Sequence, residues 1–73
     1  MAEANAESYK EARRLFERVT AVQPDSALSW HAWGKMEHSA GDADRARTLY
    51  LRALSLKPRN VVTLSALGHL ERT

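Results

Sequence analysis

Few groups in this sequence have chemistry to offer. His31, Lys35 and His38 are spaced by four and three residues, so on a helix they share one face. Ser65, His69 and Arg72 repeat that spacing further along. A strip of this kind is weakly basic and suits an acidic peptide or a phosphate backbone, more so as histidines gain protons below neutral pH. It makes a poor metal site, because Lys35 repels a cation and no carboxylate completes a ligand shell. The alternative reading is a solvated polar helix face. No catalytic set stands beside it. The sequence lacks a Gly-rich phosphate loop, a nucleophile elbow and any cysteine, and its serines and histidines have no acidic orienter. A non-enzymatic protein is expected, with no cofactor and no metal.

The arginines and tryptophans offer a second kind of chemistry. Arg13, Arg47 and Arg52 could follow an RNA backbone, although Glu11, Glu17, Asp42 and Asp44 are interspersed among such residues. Trp30 and Trp33 could stack on bases. Leu64 and Leu67 stand at their repeat positions, however, and leucine replaces a core residue but not a stacking platform, so a core role is expected for both pairs. Glu37 and Glu71 recur in register with Arg13 and Arg47. A half-buried carboxylate needs a donor, so Glu37 is expected to bond an arginine of a neighbouring helix, Arg47 or Arg13. Otherwise it is a solvated glutamate at its helix end.

These residues are positioned by an internal repeat. Shifted by 34 positions, the sequence lays Ala12 on Ala46, Leu15 on Leu49, Phe16 on Tyr50, Pro24 on Pro58 and Gly34 on Gly68. Ala12, Leu15, Phe16, Val19 and Val22 form one apolar helical stripe, and Ala46, Leu49, Tyr50 and Ala53 repeat it. Ser8 with Glu11 has the form of a capping box, while Asp42, Ser26 and Asn60 are good N-caps. Pro24 and Pro58 stop the helices before them, and Gly41 suits a left-handed C-cap. The expected fold is all-α, with helices at about 8–22, 27–40, 43–56 and 61–72. Connections of a few residues make neighbouring helices antiparallel.

With 73 residues the chain holds one small domain, and no disulfide can reinforce it. Eleven basic residues against nine acidic ones leave a net charge of +2, too small a surplus to point to nucleic acid. No stretch nears the 20 or so apolar residues of a membrane span, so no membrane partner is expected.

Trp30-x-x-Trp33-Gly34, followed by Ala46, Tyr50, Ala53 and Pro58, resembles the tetratricopeptide repeat. The recurring Ala12-Arg13-x-Leu15-Phe16 and Ala46-Arg47-x-Leu49-Tyr50, with Glu37 closing the first helix, resemble its half-a-tetratricopeptide subfamily. The resemblance implies a right-handed superhelical stack of antiparallel hairpins. It assigns Ala12, Phe16, Trp30, Trp33, Gly34, Ala46, Tyr50, Ala53, Leu64, Leu67 and Gly68 to packing. It further implies that His31, Lys35, His38, Ser65, His69 and Arg72 line a concave partner-binding groove. A scaffold for RNA-processing proteins would follow, intracellular and either nuclear or organellar, with a protein partner. Direct single-stranded RNA binding is the alternative. The lysine and asparagine pair that clamps a chaperone's C-terminal carboxylate in some relatives has no counterpart here.

The frame also implies that residues 1–73 form a single repeat fragment, with one complete repeat at about 27–60 flanked by half repeats. Ala2, Glu3 and Ala6 would continue an earlier first helix, since they align with Met36, Glu37 and Ala40. An exposed apolar end at Val61, Leu64, Leu67 and Leu70 would favour self-association through the open repeat ends, a third functional reading.

Overall fold

The computed structural model describes residues 6–72. Four helices follow in order: α1 (Ala6–Val22), α2 (Ala27–Ser39), α3 (Ala43–Leu56) and α4 (Val61–Arg72). The chain turns where its local chemistry dictates. The Ser26 hydroxyl accepts the Ser29 N–H at 3.4 Å, and Asp42 Oδ1 accepts the Arg45 N–H at 3.0 Å. Asn60 Oδ1 accepts the N–H groups of Val62 and Thr63 at 3.1 and 3.3 Å. Each cap satisfies donors that a helix start leaves unpaired. At the end of α2, Gly41 adopts φ +93°, a left-handed conformation that costs glycine nothing. Its N–H then reaches His38 O at 3.0 Å, and the Asp42 N–H reaches Glu37 O at 2.9 Å, which closes a Schellman turn.

The start of α1 departs from expectation. Ser8 is not an N-cap but lies inside the helix, and positions 6–8 are helical where the register would place a turn. The equivalent turn after α2 depends on Gly41, and Glu7 occupies that position here. Glutamate resists the left-handed backbone, so the helix runs through. Ala2, Glu3 and Thr73, which bear on the expected flanking half helices, lie outside the described residues.

Helices α2 and α3 form the central antiparallel hairpin. Their close approach requires Gly34: a Cβ there would sit 2.8 Å from two ring carbons of Tyr50 and 3.3 Å from the Ala46 carbonyl. Ala46, Tyr50 and Ala53 are buried opposite it, joined by Trp33 and Leu49. α1 and α4 pack on opposite sides of this hairpin in repeat-related fashion. Phe16 stacks on Trp33 with ring centroids 6.1 Å apart, and Trp30 stacks on Trp33 at 5.8 Å. At the matching place Leu67 packs on the cluster of Ala46, Tyr50 and Leu70. The expected apolar end is therefore only half exposed. Val61 and Leu64 face solvent, but Leu70 is buried and Leu67 partly so, because one edge of α4 seats on α3.

Candidate functional site

The four-three spacing of the basic strip survives folding as a groove. His31, Lys35 and His38 of α2 face Val62, Ser65, Ala66 and His69 of α4 across an open recess of about 470 Å³, with Tyr50 of α3 beneath. Arg72 lies in an adjoining recess of about 320 Å³ with Ser65, Gly68 and His69. Five of the six residues expected to line a groove thus share one cavity, and the sixth stands next to it. Among the described residues, no carboxylate lines either recess. Tyr50, Val62 and Ala66 are additions: the repeat pattern marks Tyr50 for packing alone, and Val62 and Ala66 carry no chemical signal.

The histidines are not equivalent. His31 Nδ1 lies 2.9 Å from the hydroxyl of Thr63, a buried α4 residue, and the His31 ring meets that of Tyr50 at 5.3 Å. Burial, then the charge of Lys35, holds the His31 pKa below the usual histidine value. His31 is therefore neutral near pH 7 and acts as a hydrogen-bonding wall, not as a ready cation. His38 and His69 come together from opposite helices, edge to face with centroids 6.2 Å apart. Among the described residues, no three His, Asp or Glu side chains are placed to hold a metal ion.

Behind the groove wall lies a buried carboxylate. The Glu37 side chain is 0% exposed, yet all its charge is answered. Arg13 of α1 donates through Nε to Oε2 at 2.7 Å and through Nη2 to Oε1 at 2.8 Å. Trp33 Nε1–H adds a third bond to Oε2 at 3.1 Å, and Arg45 Nη1 stands 3.8 Å from that oxygen. The Arg13 hydrogen bonds hold the Glu37 carboxyl below the ordinary range; burial opposes them, and Trp33 and the two positive charges assist.

Of the two arginines expected to serve Glu37, only Arg13 does so. Arg47 turns towards α4, where Nη2 and Nε donate to Glu71 Oε1 at 3.0 and 3.3 Å, while its Nη1 donates to Oδ1 of Asp44 on its own helix at 3.1 Å. The arrangement is one motif used twice. Each second-helix arginine reaches forward 24 residues to the glutamate of the next first helix. Arg52 lies over the Trp30 ring, 5.1 Å from its centroid, while Trp30 Nε1–H bonds the Pro24 carbonyl at 2.8 Å. Arg13, Arg47 and Arg52, the residues expected to contact RNA, are thus engaged within the chain, and none lines the groove.

No protein-family model matches the sequence. Two characterised proteins do resemble it. The pre-mRNA-splicing factor CLF1 of Eremothecium gossypii is 35% identical over 48 residues, covering 66% of this chain and 7% of that protein. Crooked neck-like protein 1 of Homo sapiens is 33% identical over 57 residues, covering 78% of this chain and 7% of that protein. The aligned stretch spans about 7% of the length of either relative. Four helices in antiparallel hairpins, a repeated Arg–Glu pair and these two likenesses together mark the chain as a helical-repeat unit distantly related to much longer repeat proteins.

Proposed function

We propose that this chain is a non-catalytic scaffold that binds an acidic segment of a protein partner in the α2–α4 groove, within an RNA-processing assembly. One observation carries the reading: an open groove of about 470 Å³ holds the Lys35 ammonium, adjoins the recess of Arg72 and, among the described residues, has no carboxylate in its lining. A peptide carboxylate entering it would meet charge of opposite sign without having to displace an internal ion pair. The RNA-processing setting rests on the relatives, one of which is a pre-mRNA-splicing factor. Direct RNA binding is the weaker reading, because Arg13 and Arg47 already spend their guanidinium edges on carboxylates. We further read residues 27–60 as one complete repeat between two half repeats, in a protein of the nucleus or an organelle.

Fluorescence anisotropy separates these readings. A labelled Glu/Asp-rich peptide, a Lys-rich peptide of equal length and a uridine oligonucleotide would each be titrated with the chain at two salt concentrations. The expected result is measurable binding of the acidic peptide alone, weakened by salt and lost in Lys35→Glu. Binding of the oligonucleotide with no binding of the acidic peptide would overturn the proposal in favour of RNA.

A further inference from the structure

One apolar pair recurs on the groove side without belonging to the core. Leu28 and Val62 occupy the same place in the 34-residue register, yet Leu28 is 76% exposed and Val62 is 65%. Each stands one helical turn before a residue of the basic strip, Leu28 before His31 and Val62 before Ser65. Both line a recess of about 250 Å³, with Ala27 and His31 of α2 and with Lys57 and Asn60 of the α3–α4 turn. Both walls of this recess are internal to the chain. Among the described residues no carboxylate lines it, and Asn60 Oδ1 is already committed to the first N–H groups of α4. His31 and Val62 line this recess and the groove alike, so the two are continuous. The combined surface changes character along α2, from aliphatic at Leu28 to cationic at Lys35. A single exposed aliphatic residue is ordinary, but core packing does not account for a register-matched pair lining one recess.

We propose that the segment bound in the α2–α4 groove carries a bulky aliphatic side chain, seated between Leu28 and Val62, about three residues from an acidic side chain that meets Lys35. This motif rests on the acidic-segment reading of the groove and adds its apolar half. The spacing follows from helix geometry. Lys35 comes seven residues after Leu28. At about 1.5 Å per residue the rise between them is about 10 Å, which an extended peptide covers in about three residues. Burial of the aliphatic side chain supplies affinity, while Lys35 and Lys57 repel basic segments and admit acidic ones. The wall shared by the two recesses is in place before a partner arrives, because His31 Nδ1 is held 2.9 Å from the Thr63 hydroxyl.

Matched peptides titrated with the 73-residue chain in fluorescence anisotropy test this motif. One acidic peptide carries a leucine three residues from its glutamate and is made in both chain directions; its control has serine in place of leucine. In at least one direction the leucine should tighten binding by about tenfold, as burial of much of one aliphatic side chain allows. The double variant Leu28→Gln, Val62→Gln alters two exposed positions and should keep the helical circular dichroism spectrum. It should bind leucine and serine peptides equally, with the parent chain's affinity for the serine peptide. Lys35→Glu should lose both. Equal binding of leucine and serine peptides by the parent chain would overturn the aliphatic seat and leave the acidic groove standing, whereas binding of neither would overturn both. A leucine gain that survives in the double variant would overturn the placement at Leu28 and Val62. So would a sedimenting mass above the 8.2 kDa of one chain that the double variant restores to it, which would give the recess to a second copy.

Discussion

Replacing Arg13 with leucine isolates the energetics of the buried carboxylate. The substitution removes both short hydrogen bonds to Glu37 and leaves the Trp33 N–H and the more distant Arg45 to face an oxygen pair that water cannot reach. Breaking a fully buried pair by deleting one partner costs about 3–5 kcal/mol. Arg13 is 32% exposed and Arg45 can move closer, so screening reduces the expected loss at pH 7 to about 2–3 kcal/mol. With a urea slope of about 1 kcal/mol/M for a chain this small, the unfolding midpoint should drop by about 2–3 M. A domain of this size commands only about 3–5 kcal/mol in all, so both chains should be unfolded in a constant concentration of sulfate, which strengthens burial.

The same loss must depend on pH. In the parent chain the depressed Glu37 pKa contributes stability above the ordinary glutamate value of about 4.3, and that contribution disappears as pH falls through the folded-state value. Arg13→Leu removes the main cause of the depression while burial, which acts the other way, persists. The gap between the two chains should therefore narrow as pH drops below about 4. Glu37→Gln should also lose stability at neutral pH, and this site should then add no slope in acid. Equal urea midpoints for Arg13→Leu and the parent chain at pH 7, or a gap identical at neutral and acid pH, would refute the assignment.

Other consequences follow from packing and from His31. Gly34→Ala should destabilise the fold by about 1–3 kcal/mol in thermal unfolding, because its Cβ strikes the buried Tyr50 ring, which outweighs the gain in helix propensity. The His31 imidazole should titrate below the ordinary histidine value of about 6.5 when followed by proton NMR. Because folding favours its neutral form, His31 stabilises the chain fully above that pH and progressively less as pH falls towards the folded value. His31→Phe should flatten this part of the stability profile; an unchanged slope would show that the histidine does not set it.

Sequence alone settled what is local. Proline, an N-cap oxygen or a left-handed glycine acts within one helical turn, so the ends of α2, α3 and α4 were legible from Ser26, Asp42, Asn60, Pro58 and Gly41. Spacing by three and four decides which side chains share a helix face, which is why His31, Lys35 and His38 could be grouped before any fold was known. The tetratricopeptide resemblance implied packing roles for Gly34, Ala46 and Tyr50, and a Cβ at Gly34 would sit 2.8 Å from the Tyr50 ring.

Only tertiary structure decided what depends on which neighbour a face meets. A recurrence of glutamates and arginines is the same whether an arginine reaches forward or back along the stack, so Arg13 and Arg47 could not be told apart as partners of Glu37. The direction in which second-helix side chains face the next first helix chooses Arg13. Periodicity likewise places Leu70 on an apolar face without saying that this edge of α4 lies against Ala46 and Tyr50. His31 looked like one more groove cation until Thr63, 32 residues away, came within 2.9 Å and burial kept the ring neutral. Helix periodicity fixes an angle around one axis, whereas contacts depend on the position of a second axis, and that is set only when the whole chain packs.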